Sequence, residues 1–315
     1  MQISRNKVVI IGAGHVGTTV AFSLLVQEVC AEIVLVDINE QKAIGEAMDL
    51  QHGIEYFRRN TKIKAGTYAE CKDADVVIIT ASAPYSGELD RLLMMDKSAK
   101  IVRAIVPQVM ESGFDGIFVV VSNPVDIISY MVYKLSGLPK NQVIGTGTAI
   151  ETSRLKQHIG NLLNMDPRSV EALVLGEHGM SLFVPWSLAR AGGKNMMEII
   201  RDNPEYNSID LEEIEDATRK AGFDVLGKKG NTQYGIASVT TAIVSAVLRD
   251  EYKAMPVSTL MEGEYGITDA FCGVPAILSR QGVVDVVELH LTEKENAALQ
   301  ASAKIIKENI EKLGL

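Results

Sequence analysis

His178 stands in Gly176-Glu177-His178-Gly179, directly behind an apolar run at residues 170–175. An imidazole titrates near neutrality, so it can both give and take a hydroxyl proton, and the flanking glycines leave room for a substrate. Taken alone it reads first as an ordinary hydrogen-bonded histidine in a loop. Glu151 and Arg154 lie three apart, on one face of an expected helix. Arginine is suited to forked recognition of a carboxylate, and a neighbouring carboxylate can hold an imidazole in one tautomer and stabilise its protonated form. Spacing alone fits a surface ion pair better, one worth only ~0.3–0.5 kcal/mol. Arg91 closes a segment, residues 82–90, that contains Pro84, Tyr85 and Gly87. Such a segment suits a lid whose terminal arginine polarises a carbonyl; the plainer alternative is a solvated arginine on the first turn of a helix. One chemistry uses all four residues: hydride exchange at a small hydroxy acid. It needs a group to move the hydroxyl proton, one to fix a carboxylate, one to stabilise the polarised carbonyl, and closure against water.

The hydride carrier is indicated at the other end of the chain. The apolar strand Val8-Val9-Ile10-Ile11 runs straight into Gly12-Ala13-Gly14-His15-Val16-Gly17, and a second apolar strand ends on Asp37. Gly12 permits a tight turn, Gly14 lets the backbone approach a pyrophosphate, and Gly17 lets the next helix pack on the sheet. The free N–H groups of that helix then face the phosphate charge. Asp37 stands twenty residues beyond Gly17, where a carboxylate accepts hydrogen bonds from the adenosine ribose. It would repel a 2′-phosphate, and Ile38 rather than an arginine follows it, so the expected cofactor is NAD and not NADP.

The elements that must position these groups follow from the apolar pattern. In the first half, short apolar strands are expected at 7–11, 33–37, 62–65, 76–80, 117–122 and 143–145. Between them lie helical stretches at 15–26, 40–50, 91–111, 125–135 and 149–160. Apolar strands joined by helical crossovers make a parallel sheet covered on both faces, which binds ligands at the carboxyl ends of its strands. Those ends carry residues 12–17, Asp37, Thr80 with Ala81, and Ser122-Asn123. From about residue 161 the rhythm changes. A strand is expected at 170–175, helices at 210–226, 232–248 and 292–313, and antiparallel strands at 257–261 and 276–278. The fold class is therefore α/β: a Rossmann doubly wound parallel sheet, residues 1–147, followed by a mixed α+β catalytic domain, residues 148–315. The helix at 149–160 joins the halves, so its residues are expected at the cleft between them.

Composition narrows the partners. A net charge of −9 and a pI near 5.2 disfavour nucleic acid and anionic membranes, and small anionic substrates would need a local positive site. No apolar run reaches membrane-spanning length and no signal-peptide core precedes the first strand, so a cytoplasmic protein is expected. Cys30, Cys71 and Cys272 are scattered and read as reduced thiols. Histidines and carboxylates show no ligand spacing, so no metal is expected.

These segments together resemble the L-lactate/malate dehydrogenase superfamily over essentially the whole chain. The resemblance is carried by residues 12–17 with Asp37, by Met48-Asp49-Leu50-Gln51-His52-Gly53 and by Val121-Ser122-Asn123-Pro124-Val125-Asp126. It continues in Val143-Ile144-Gly145-Thr146-Gly147-Thr148, in residues 176–179 and in Lys229-Gly230-Asn231-Thr232-Gln233-Tyr234-Gly235. Residues 166–170 and 222–226 look most like the lactate and L-2-hydroxyisocaproate branch. The resemblance implies that His178 is the proton donor and acceptor, that Arg154 clamps the substrate carboxylate, and that Arg91 is a mobile arginine polarising the carbonyl. It further implies that Asn123 bonds near the reacting oxygen, that Thr232 lines the pocket, and that the protein is a homodimer or homotetramer with the helix around residues 48–53 in an interface.

Three positions depart from the family. Glu151 stands where the family has Asp, keeping the charge but changing its reach. Tyr85 aligns with the lid position that discriminates substrates; it offers no arginine for a second carboxylate, which disfavours malate, and it is not the glutamine usual in lactate enzymes. Lys156 and Glu171 replace the Arg and His of the sugar-bisphosphate site of regulated members. The reaction expected is reduction of a small 2-oxo acid to its L-2-hydroxy acid, pyruvate to L-lactate first and branched 2-oxo acids next. Two other classes are disfavoured. An NAD-using glycosidase would need a metal held by Cys or His, and no cysteine lies beside Asn123 or His178. A non-catalytic NAD-sensing module would not need His178, Glu151, Arg154 and Arg91 together.

Overall fold

The computed structural model describes residues 6–82 and 91–314. Its strands are β1 (Lys7–Ile11), β2 (Glu32–Val36), β3 (Lys62–Ala65), β4 (Val76–Ile79), β5 (Ile117–Val120), β6 (Val143–Gly145), β7 (Val170–Glu171), β8 (Arg190–Ala191), β9 (Lys194–Asn195), β10 (Lys253–Glu262), β11 (Thr268–Ser279) and β12 (Gly282–Val286). Its helices are α1 (His15–Val26), α2 (Glu40–His52), α3 (Arg91–Glu111), α4 (Val125–Ser136), α5 (Ala149–Leu162), α6 (Met196–Asp202), α7 (Leu211–Lys229), α8 (Tyr234–Leu248) and α9 (Glu293–Lys312).

The first six strands pair in parallel in the order β3-β2-β1-β4-β5-β6. This is the doubly wound dinucleotide-binding arrangement, whose crevice opens beyond the carboxyl ends of β1 and β4. Strands covered on both faces must be apolar throughout, and β1 shows why. Val9 and Ile11 join the core on one face, Val8 and Ile10 the core on the other, and all four are buried. Each such side chain contributes about 1.5–3 kcal/mol on burial.

The long strands of the second half do not form a separate sheet. All three extend the sheet of the first half antiparallel, giving β6-β10-β11-β12 and nine strands in one layer. Ser258 of β10 registers against Gly145 of β6, a position where any side chain on Gly145 would collide with Ser129 and Ser258. The strands expected at 257–261 and 276–278 are longer than their apolar segments because the ladder between them runs from Lys253↔Leu278 to Glu262↔Thr268.

The strand expected at 170–175 is cut to two residues. Threonine side chains at the N-cap and in the first turn of α5 replace the ladder: Val174 donates its N–H to Thr152 Oγ1 (2.9 Å) and accepts from Thr148 Oγ1–H (2.6 Å). What is left is a small three-stranded sheet, β7-β8-β9, over a separate apolar cluster that includes Leu155, Ile159, Val174 and Met196. Burial pushes the Cys30 and Cys71 thiols up to about 12 and the Cys272 thiol higher, so none is a nucleophile at neutral pH. Among the described residues no helix is long and apolar enough to cross a membrane, and no group of three potential ligands could hold a metal ion.

Candidate active site

At the carboxyl end of β1 the chain turns with Gly12 at φ +109°. A Cβ on Gly12 would lie 2.7 Å from Ala81 N, and one on Gly17 would lie 1.9 Å from Gly12 O. Only glycine permits α1 to sit so close to the strand ends. Thr80 Oγ1–H ties the turn down by donating to Gly12 O (2.8 Å). By contrast a Cβ on Gly14 meets nothing within 4 Å, so the backbone there is open to a ligand. No side chain caps α1, which begins at exposed His15, and its first-turn N–H groups are left to whatever lies beyond Gly14.

Asp37, just past β2, leans over this loop. It accepts from Ala13 N–H (2.7 Å) and from Asn39 N–H (2.9 Å) and keeps lone pairs for further donors. An uncapped helix N-terminus, an open glycine backbone and a half-buried carboxylate are the recognition set for a dinucleotide without a 2′-phosphate. Val16 is half-buried behind them.

Two of the expected cofactor contacts, Thr80 and Ser122, turn their hydroxyls inward. Ser122 is buried and donates to Ala81 O (2.6 Å), so it braces the ends of β4 and β5 against each other. Asn123 beside it is exposed at the sheet's carboxyl edge.

Across the sheet end, α5 carries the charged groups. Glu151 is only 5% exposed in its side chain and bridges two partners: Oε1 accepts from Arg154 Nη1–H at 2.8 Å, and Oε2 lies 3.0 Å from His178 Nδ1. The longer glutamate therefore reaches the imidazole. Its bond to Nδ1–H leaves Nε2 as the ring nitrogen not engaged by Glu151. Burial opposes protonation of His178, but the charge and hydrogen bond of Glu151, with the charge of Asp126 added, outweigh burial and raise its pKa to about 9. Burial likewise opposes ionisation of Glu151, and the attraction of His178 and Arg154 overcomes it and holds the carboxyl below its usual value.

Arg154 spends one donor on Glu151 and keeps others for an anion. Helix α7 crosses its guanidinium at Gly222, where a Cβ would come 3.2 Å from Nη1 and 3.3 Å from Nη2. Thr232 precedes α8, whose Gly235 packs so closely on Ile150 of α5 that a Cβ would lie 2.8 Å from Ile150 Cδ1. That contact seats the start of α8 against the first turn of α5.

The loop bearing His178 is fixed by three elements that spacing alone did not single out. Gly176 exchanges two backbone hydrogen bonds with Gly273 of β11 (3.0 and 2.9 Å). Glu177 N–H donates to Ser302 Oγ of α9 (2.7 Å). His178 N–H donates to Asp126 Oδ2 of α4 (2.8 Å). Asp126 was legible as an anomaly, a carboxylate inside the apolar run of α4; Gly222, Gly273 and Ser302 gave no local signal. Arg91 is the first residue of α3, but its side chain lies outside the described residues, as does Tyr85.

Lys156 and Glu171, the positions that depart from a sugar-bisphosphate site, line a cavity of about 360 Å³ with Leu173, Pro185, Leu188 and Leu289. Burial lowers the pKa of Lys156 although the charge of Glu171 opposes this. One acidic group, one partly buried lysine and apolar walls do not suit two phosphates. Adding a sugar bisphosphate is expected to change the KM for pyruvate by less than about twofold in steady-state assays. A large leftward shift of the saturation curve would refute this. A second cavity of about 370 Å³ lies at the opposite, amino end of the sheet; there Arg280 is paired with Asp75, Asn6 and Leu248 O, and no group of the charged cluster is near it.

The fold and this site define an NAD-linked dehydrogenase of 2-hydroxy acids. Residues 6–145 match the family described as lactate/malate dehydrogenase, NAD binding domain, and residues 148–314 match its alpha/beta C-terminal domain. The chain belongs to the lactate/malate dehydrogenase family. It is 46% identical over 316 residues, the full length of both chains, to L-lactate dehydrogenase 3 of Bacillus cereus. It is 46% identical over 314 residues, 99% of both chains, to L-lactate dehydrogenase 1 of Bifidobacterium longum. In three dimensions it is similar to the ligand-bound minor L-lactate dehydrogenase of Enterococcus mundtii, with a TM-score of 0.95 and 42% identity over 98% of each chain.

Proposed function

We propose that this protein is an L-lactate dehydrogenase, reducing pyruvate reversibly to L-lactate with NADH. The observation that carries the reading is the buried Glu151 carboxylate joining His178 to Arg154, because it couples a proton-bearing imidazole to a carboxylate-binding guanidinium a few ångströms apart. NADH would supply the hydride; Gly12, Gly14, His15, Val16, Gly17 and Asp37 would hold its phosphates and ribose, and Thr80, Ala81, Ser122 and Asn123 are the further residues assigned to it.

Arg154 binds the substrate carboxylate with the donors that Glu151 leaves free, and so fixes the carbonyl relative to His178. Protonated His178 gives its Nε2 proton to the carbonyl oxygen as that oxygen gains negative charge, and Glu151 stabilises the imidazolium beforehand. The family resemblance assigns polarisation of the carbonyl to Arg91 and substrate discrimination to Tyr85, both of which lie outside the described side chains, and in this reading Asn123 bonds near the same oxygen and Thr232 lines the pocket. The active unit in this reading is a homodimer or homotetramer, supported by Ile44 and Met48, which α2 leaves exposed. Three free, buried cysteines support a cytoplasmic setting.

The test is a kcat/KM panel followed by NADH absorbance, with pyruvate, oxaloacetate, 2-oxoisocaproate and phenylpyruvate. Pyruvate is expected to give the highest value. Highest efficiency on oxaloacetate would overturn the argument from Tyr85, and highest efficiency on 2-oxoisocaproate would move the assignment to the L-2-hydroxyisocaproate type.

A further inference from the structure

We propose that Asp126 is a positioning residue that holds the backbone of His178 and supplies a second negative charge that keeps its ring protonated. The inference rests on reading His178 as the proton donor. Asp126 is 2% exposed and sits in the first turn of α4. Its Oδ2 accepts from His178 N–H (2.8 Å) and its Oδ1 from Ser258 Oγ–H of β10 (2.5 Å), with Ser258 itself fully buried. One carboxylate thus ties together a helix of the parallel half, a strand of the antiparallel half and the catalytic loop.

The arrangement is not a generic structural bond. A buried carboxylate is costly unless its lone pairs are filled, and a neutral side chain of the same shape would tie these segments at lower cost. What only the carboxylate adds is charge, and that charge faces His178. The groups around the pair are few. Glu151 and Arg154 approach the imidazole from α5; Glu177 of the same loop and Cys272 of β11 lie near Asp126, and the Cys272 thiol is neutral. Burial raises Asp126 to about 6 although the bonds from Ser258 and His178 favour its charged form, so it is ionised at neutral pH and becomes neutral in mild acid. His178 therefore answers to two carboxylates, one on its ring and one on its peptide nitrogen.

The test uses the full chain with NADH bound. Asp126→Asn is nearly isosteric; its amide oxygen can accept from His178 N–H and its NH2 can donate to Ser258 Oγ, so both bonds persist while the charge is lost. The titration midpoint of the His178 imidazole, read by NMR, is expected to fall by about 0.5–1 pH unit. The alkaline limb of kcat/KM for 2-oxo acid reduction is expected to move down with it, while NADH affinity stays unchanged.

Ser258→Ala removes one bond from the carboxylate without touching its charge directly. Asp126 stays ionised through the range in which His178 titrates even so, and the His178 midpoint is expected to hold while the melting temperature falls, which separates loss of a tie from loss of charge. A merely structural tie would lower the melting temperature of Asp126→Asn and leave the midpoint in place there as well, and that result overturns the proposal. If Asp126→Asn is not soluble, Asp126→Ser, also neutral, carries the same test, and an unmoved midpoint in it overturns the proposal equally. The NMR midpoint does not depend on turnover, so it separates failure of this inference from failure of the assigned reaction, which would appear as a wild-type protein inactive on every 2-oxo acid.

Discussion

Replacing His178 by alanine is expected to lower kcat for 2-oxo acid reduction by about 10³–10⁴-fold with NADH binding retained. Alanine has no proton to give, and no other titratable group in the described site contacts the position of Nε2. The loop itself should survive the change, because its bonds to Gly273, Ser302 and Asp126 all use backbone atoms that alanine retains. The ring is also 24% exposed, so its removal opens a hydrated gap and not a sealed cavity. The check is stopped-flow or steady-state NADH oxidation alongside a fluorescence titration of NADH. Free imidazole in the assay should restore part of the rate by entering that gap. A variant within a few-fold of wild type would show that another residue handles the proton.

The second large effect is expected from Glu151→Gln. Glutamine can still accept from Arg154, but it then presents its NH2 to His178 Nδ1. That geometry suits an imidazole protonated on Nε2 only, which is neutral and cannot take up a proton in the reverse direction. Loss of the charge also leaves burial as the dominant influence on His178, so its pKa should fall from about 9 toward or below 6.5. The rate of 2-oxo acid reduction at pH 7.5 should drop by about 10²–10³-fold, and its alkaline limb should move down by more than about 1 unit. Wild-type protein should hold its reduction rate up to about pH 9 and lose it beyond, while 2-hydroxy acid oxidation, which needs neutral His178, should rise through the same range.

Stability follows the same groups with signs that can be worked out. The folded pKa of His178 is raised, so its contribution is full below 6.5 and disappears as pH rises through about 9. The folded pKa of Glu151 is lowered, so its contribution is present above 4.5 and is lost as pH falls below that value. The difference in melting temperature between wild type and Glu151→Gln should therefore be largest from about pH 5 to 6.5 and shrink on either side. A difference independent of pH would mean that the pair is not ionised in the native protein.

Much of this protein was legible in one dimension, for a physical reason common to every part that was. The glycine loop with Asp37, the six parallel strands and the i,i+3 pair Glu151–Arg154 are each set by neighbours within one turn, one strand or one βαβ unit, so spacing encodes them. His178 between its glycines was legible as a loop position with room beside it, but its local pattern alone fits an ordinary histidine equally, and only the resemblance of the whole set of segments pointed to proton transfer. Tertiary structure alone decided what joins those pieces. Whether glutamate at 151 reaches the imidazole depends on where α5 sits relative to the loop, and the two residues are 27 positions apart.

Asp126 meets partners 52 and 132 positions away, and Gly222 meets Arg154 only because α7 folds across α5. The extension of one sheet through both halves rests on Ser258 registering against Gly145, a pairing no local pattern specifies. Sequence determined which groups are available and which cofactor they suit. The fold decided that two buried carboxylates, one on the ring and one on the backbone, converge on a single histidine, because only long-range packing can bring three distant segments into hydrogen-bond distance.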